Sequence, residues 1–189
     1  SHQDHILSPK LSLIFGPWQQ TEYYANYGYG FHSNDARGTT THINPDPRDA
    51  NFLMATNTVP ALVRTKGGEL GVRSAAFING LQSTLALWKL DSDSELVFVG
   101  DAGTTEANRP SHRYGVEMTH YYRPMDWLVV DADMALSRAQ FTDTAPEGQY
   151  ITGAIDKTAS FGLAISHWHN WSAGLRLRYL GSRPLIEDN

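Results

Sequence analysis

Two imidazoles one residue apart, His167 and His169, could face the same side of a strand and together hold a metal. The segment His167-Trp168-His169-Asn170 reads instead as a tight turn beside an interfacial tryptophan, and no third donor lies near it in sequence. His32, His42, His112 and His120 are scattered along the chain. Asp91-Ser92-Asp93-Ser94-Glu95 alternates acids as a calcium loop does, but lacks the glycine and the downstream glutamate spacing of an EF-hand. Asp131 and Asp133 share one face of a strand, the arrangement of paired catalytic carboxylates, yet no pocket partner accompanies them. Neither Thr65-Lys66-Gly67-Gly68 nor Gly100-Asp101-Ala102-Gly103 leads into a helix, as a phosphate-binding loop must. The chain has no Gly-x-Ser-x-Gly elbow. These residues offer charge for a hydrated surface rather than a reaction, so no enzymatic activity, resident metal or cofactor is expected.

The elements that carry them alternate apolar and polar residues at every position, a strand period. Eight strands are predicted. The first runs roughly from Lys10 to Phe15. The second sets Tyr23, Ala25, Tyr27, Tyr29 and Phe31 against Glu22, Asn26, Gly28 and Gly30, and the third sets Leu70 and Val72 against Glu69 and Arg73. In the fourth, Ala86, Trp88 and Leu90 are assigned to one face, and Lys89, Asp91, Asp93 and Glu95 to the other as charge facing a lumen. The fifth opposes Tyr114, Val116 and Met118 to Arg113, Glu117 and Thr119. The sixth places Leu128, Val130, Ala132, Met134 and Leu136 against Asp131, Asp133 and Ser137. The seventh places Phe161, Leu163 and Ile165 against Ser160, Gly162 and Ala164. The eighth turns Trp171, Ala173, Leu175, Leu177 and Tyr179 one way and Ser172, Gly174, Arg176 and Arg178 the other.

Glu117, Asp131, Asp133, Arg176 and Arg178 would be costly in a dry core without partners. They suit a water-filled barrel interior, with the apolar members of each strand turned to lipid. A soluble antiparallel sandwich with one wet face would alternate in the same way. The connections separate the two. Gly16 to Gln20, Ile78 to Gly80, Arg123 to Asp126 and His167 to Asn170 are tight, and Asn79-Gly80 is the residue pair of a type I′ turn. His32 to Val59, Asp101 to Ser111, Thr142 to Ala154 and the tail after Gly181 are long and polar. Short and long connections alternate, so they lie at opposite ends of the sheet, with aromatics such as Trp18, Tyr121, Tyr122, Trp127, Trp168 and Trp171 beside the short ones. Outer-membrane barrels have this asymmetry. All nine prolines are read in turns, loops or strand starts, as a hydrogen-bonded wall demands.

Composition sets the outer limits. The 189 residues contain no cysteine, which excludes disulfides and thiolate metal sites. A net charge of −5 with no basic run argues against a nucleic-acid partner. Mean hydropathy is −0.39, and no apolar run approaches the ~18 residues of a membrane helix. Ser1-His2-Gln3 begins with neither Met nor an apolar segment, so the expectation is a processed N-terminus or a piece of something larger.

Several segments, in order, resemble the TonB-dependent outer-membrane receptors. They are Gly30-Phe31-His32-Ser33-Asn34-Asp35-Ala36-Arg37-Gly38 after a Tyr-rich strand, and Trp88-Lys89-Leu90-Asp91 leading to Glu95-Leu96-Val97-Phe98. Arg113-Tyr114-Gly115-Val116-Glu117, Pro124-Met125-Asp126-Trp127-Leu128, Gly153-Ala154-Ile155 and Tyr179-Leu180-Gly181-Ser182-Arg183-Pro184 follow. The resemblance implies an all-β, antiparallel transmembrane β-barrel of about 22 strands with a plugged lumen. It implies residence in the outer membrane of a Gram-negative bacterium, with lipid, the protein's own plug domain and the inner-membrane TonB complex as partners. The implied cargo is a small-molecule metal complex, such as an iron chelate (siderophore) or cobalamin.

On this view residues 1–189 are a partial barrel domain of about eight consecutive strands from the C-terminal half. The plug, the energy-coupling box and the final aromatic-ended strand are absent, since the chain stops at Ile186-Glu187-Asp188-Asn189. Ligand would be met by the external loops, with His32, Asn34, Asp35, Arg37 and His42 as candidates. For the run from Phe31 to Gly38 a packing role is favoured, with Asp35 and Arg37 paired at the loop base. A complete eight-stranded barrel with a structural or adhesive role, and a soluble lipocalin-like module, are the competing readings. The second needs another sheet over the stripe from Leu128 to Leu136.

Overall fold

The computed structural model describes residues 5–33, 42–43, 50–55, 60–99, 104–107, 109–146 and 148–188. Among these residues ten strands follow one another: β1 (Lys10–Trp18), β2 (Thr21–Ser33), β3 (Leu62–Ser74), β4 (Leu81–Ser92), β5 (Leu96–Val99), β6 (Thr104–Ala107), β7 (Ser111–Met125), β8 (Leu128–Phe141), β9 (Lys157–Trp168) and β10 (Trp171–Leu180). Eight form one sheet in the order β1-β2-β3-β4-β7-β8-β9-β10. Every neighbouring pair is antiparallel. β5 and β6 make a separate small hairpin within the connection from β4 to β7. Among the described residues there is no helix, β1 and β10 do not pair with each other, and no second sheet is layered on the first.

Register fixes the faces, because residues directly opposite in a ladder point the same way. One row runs Val130, Leu163, Leu175 and its neighbour runs Asp131, Gly162, Arg176. Carried across the sheet, this puts Leu11, Leu13, Tyr27, Leu70, Leu87, Val116, Leu136, Phe161 and Leu177 on one face. Glu22, Asn26, Glu69, Arg73, Glu117 and Asp133 are on the other. The apolar face is open: Leu11, Leu70, Leu87, Leu175 and Leu177 are each more than half exposed. A water-soluble sheet buries such a stripe under a second layer. Here, among the described residues, the only fully buried large side chain is Phe141, at the end of β8.

The fourth strand is turned over relative to the sequence expectation. Ala86, Trp88 and Leu90 pair with Glu117, Gly115 and Arg113, on the polar face. Leu85, Leu87, Lys89 and Asp91 pair with Met118, Val116, Tyr114 and His112, on the apolar face. Asp91 therefore does not face the interior with Asp131, and β4 ends at Ser92, before Asp93 and Glu95. A run of apolar residues from Leu85 to Trp88 has no period-2 phase of its own, and a one-residue slip exchanges the faces.

The turns differ in detail as well. Gln19 and Gln20 have φ of 48° and 60°, and His169 and Asn170 have 47° and 68°, so each pair forms the type I′ geometry. At Asn79-Gly80 only Gly80 has positive φ (81°), and Leu81 N–H donates to Ile78 O at 3.0 Å. This is the type II pattern, not the expected type I′. A Cβ at Gly80 would collide with the carbonyl oxygen of Arg123. Pro17 and Pro124 fall inside β1 and β7, but at the register shifts between Phe15 and Trp18 and between Tyr122 and Met125. A bulge is where a residue without an N–H costs the ladder nothing.

Candidate functional site: the polar face

The polar face is held by contacts that cross strands over glycines. Asp131 of β8 and Arg176 of β10 meet at 2.9 Å across the intervening β9, directly over Gly162. Any side chain there would strike both, which is why β9 carries glycine at this row. Tyr24 lies in the same way over Gly71 and donates its hydroxyl to Glu69 Oε1 at 2.9 Å, while Asn26 Nδ2 donates to Glu69 Oε2 at 3.3 Å. Arg73 stands 6.0 Å from the Tyr24 ring and 3.7 Å from Glu22. Trp88 rests against Gly115. Ser160 donates to Asp133 Oδ2 at 2.9 Å.

The five residues predicted to line an interior therefore do share one face. Asp131 pairs with Arg176, while Glu117, Asp133 and Arg178 line a common cleft of about 210 Å³. Arg176 and Asp131 keep 46% and 23% of their side-chain surface exposed, so the pair sits in water. Such a pair contributes about 0–1 kcal/mol, and its use is to hold opposite charges without forming a net field. A larger cavity, about 570 Å³, opens beside the wall at Asn26, Gly28, Gly30, Gly67, Glu69 and Trp88. The indole N–H of Trp88 there is buried and has no hydrogen-bond partner.

Of the predicted loop contacts, His32 is the penultimate residue of β2, on the polar face opposite Val63. His42 is exposed beside the isolated bridge between Ile43 and Ala55. Asn34, Asp35 and Arg37, with the ion pair expected between the last two, lie outside the described residues. No cluster of three metal-donating side chains occurs among the described residues, and His167 and His169 sit at the β9–β10 turn as polar turn residues.

Sequence reasoning missed the clamp at the long-loop end. Arg109 Nε and Nη1 donate to Asp143 Oδ1 at 2.6 Å and Glu187 Oε2 at 3.0 Å, and Nη1 also reaches Gly148 O at 2.8 Å. Its guanidinium stacks 4.5 Å above the buried Phe141 ring. One side chain thus ties the entry of β7 to the loop after β8 and to the C-terminal segment. Nearby, Glu95 accepts hydrogen bonds from Ser111 and pairs with Arg113 at 3.1 Å. Arg109, Asp143 and Glu187 lie outside the strands, where no periodicity brings them together. Replacing Arg109 by Met is expected to cost about 1–3 kcal/mol, from two carboxylates left facing each other, and to open the loop after β8 to protease. Limited proteolysis of the protein checks this; a digestion pattern unchanged from the native protein contradicts it.

A sheet with one greasy open face, one ion-paired wet face, short turns at one end and long loops at the other is the wall of a transmembrane β-barrel. The chain belongs to the TonB-dependent receptors: the family model described as TonB dependent receptor-like, beta-barrel matches residues 1–189. Among solved structures, it is similar to the FrpB iron transporter from Neisseria meningitidis (F3-3 variant), with TM-score 0.62 and 18% identity over 92% of this chain and 26% of that one. It is also similar to the copper transporter OprC, with TM-score 0.64 and 16% identity over 90% of this chain and 25% of that one. The chain thus spans about a quarter of the length of either. No curated protein matches it in sequence.

Proposed function

We propose that this chain is part of the barrel wall of an outer-membrane importer driven by the inner-membrane TonB complex. The whole protein is read as carrying a small metal complex across the membrane, without catalysis. The observation that carries the reading is the division of a single-layer sheet into an unlayered apolar face and an ion-paired polar face. The apolar face meets lipid, the polar face lines the lumen and meets the protein's own plug, and the long loops face outward. His32 and His42, with Asn34, Asp35 and Arg37 between them in sequence, are the proposed ligand contacts.

A larger barrel is favoured over a closed eight-stranded one because β1 and β10 are exposed along their whole length and do not meet. Strands that expose a full row of backbone donors and acceptors call for neighbours. The quarter-length match to two much longer transporters points the same way. Iron and copper are what those two carry by name; for this protein the proposed cargo class is a chelated transition metal.

Uptake tests the proposal. Cells lacking the full-length gene are expected to lose accumulation of a radiolabelled iron or copper chelate under metal limitation, and cells lacking TonB to lose it equally. Uptake that persists in both strains for every chelate offered would remove the transport reading.

A further inference from the structure

The apolar face is not symmetric from end to end. Toward the long-loop end of this face, four of the eight strands of the sheet carry basic residues: Lys66 and then Arg64 on β3, Lys89 on β4, Arg138 on β8 and Lys157 on β9. Register assigns all five to the same face as Leu70, Leu87 and Leu136. All five are exposed. Asp91 is the one acid on the strand rows of this face among the described residues, and it stands 3.9 Å from Lys66 and 3.2 Å from Lys89. One carboxylate between two ammoniums leaves the belt strongly positive. Arg64 lies 5.5 Å over the Tyr29 ring, its charge still open to the outside.

The short-turn end of the same face carries no Lys or Arg on its strand rows among the described residues. It presents Trp18 against Tyr23 and Trp127 stacked on Trp168, with ring centroids 6.3 Å and 5.6 Å apart. Arg123 at that end lies in the bulge of β7, outside the paired rows, with Asp126 at 3.4 Å. Aromatics suit either interface. A one-sided row of cations just beyond the apolar stripe suits only a headgroup layer that is negative on that side, within reach of long side chains whose stems stay in the apolar zone.

We propose that Arg64, Lys66, Lys89, Arg138 and Lys157 form a lipid-facing belt that binds the phosphate groups of anionic lipids in the leaflet at the long-loop end. The inference rests on the reading of this sheet as a membrane wall. It adds a binding surface on the outside of the barrel, separate from any ligand path through it. The belt anchors the wall at a fixed depth, and its basic side chains act together, because a doubly phosphorylated headgroup can bridge cations on neighbouring strands. Arg138 and Lys157 lie on adjoining strands, with Leu136 opposite Lys157 in the ladder.

The test uses the full-length receptor in detergent, with lipid retention read by native mass spectrometry. The probes are lipid A bearing both phosphates, the same lipid with its phosphates removed, and phosphatidylcholine. The native protein is expected to retain the bisphosphorylated lipid at least tenfold over the dephosphorylated one. The variant Arg64→Gln/Arg138→Gln/Lys157→Gln is expected to lose that preference, and Arg64→Lys/Arg138→Lys/Lys157→Arg to keep it. A preference unaltered by the neutral substitutions, or retention of all three lipids alike by the native protein, overturns the proposal while leaving the membrane reading in place. Retention of none of the three lipids removes the membrane reading and the belt with it. If the neutral variant does not fold, the salt dependence of the native protein decides: the preference is expected to fall steeply as ionic strength rises, and a flat profile overturns it. Inorganic phosphate added at millimolar concentration is expected to leave the preference standing, since a free ion lacks the acyl chains; displacement at that level would assign the belt to free phosphate instead.

Discussion

Leu175→Arg is expected to destabilise the full-length receptor in lipid by about 2–4 kcal/mol, the cost of a cation near the bilayer midplane on a barrel's outer face. Leu175 is 55% exposed and lies between Ala173 and Leu177 on the apolar row of β10. Among the described residues its row offers no carboxylate to pair with an arginine: its ladder partner is Leu163, and beyond that Val130. Val130→Arg is expected to cost less. Val130 is one row from the short-turn end of its stripe, where Leu128 and the Trp127–Trp168 stack begin, and the penalty falls toward the interface. Equilibrium unfolding by denaturant from lipid vesicles measures both. Equal stability of the native protein and the Leu175 variant would place this face in water and against the account.

Gly71→Val is expected to cost about 1–3 kcal/mol from overpacking alone, although Gly71 is in a regular strand with no special backbone angle. The ring of Tyr24 lies where the new Cβ would go. Moving it breaks the bond from its hydroxyl to Glu69, leaving that carboxylate with Asn26 at 3.3 Å as its remaining side-chain donor on the wall. The effect belongs to the contact rather than to strand propensity, since valine is a strong strand former. Gly71→Val/Tyr24→Ala is therefore expected to be less than additive, recovering stability relative to the sum of the two single changes. Additive losses in the double-mutant cycle would mean that the ring does not lie over β3.

Much of this architecture was legible in the chain. Ala25 to Phe31, Val130 to Met134 and Ala173 to Tyr179 alternate, and their registers put these residues on the predicted faces. Asp131, Asp133, Arg176 and Arg178 could be placed together because each sits within an unambiguous period. β4 has no phase of its own: Leu85, Ala86, Leu87 and Trp88 satisfy either face, and assigning the charges of Lys89 and Asp91 to a lumen inverts the strand. A charge on a strand is wet, but wet can mean the interior or the headgroup layer, and only the ladder with β3 and β7 distinguishes them. The Arg109 clamp was invisible because Asp143 and Glu187 are 34 and 78 residues away from it in sequence. The β5–β6 hairpin was folded into a loop and a strand continuation, since two four-residue strands are too short to declare a period.

The central claim is that this sheet is one stretch of a longer receptor barrel in the outer membrane. An antibody raised against this chain, used on carbonate-washed outer membranes, tests it most directly. The account predicts a membrane-resident band about four times the 21.0 kDa of this chain, in keeping with the 25% and 26% of the two transporters that it covers. A band at this chain's own mass, or one washed into the soluble fraction, would contradict it.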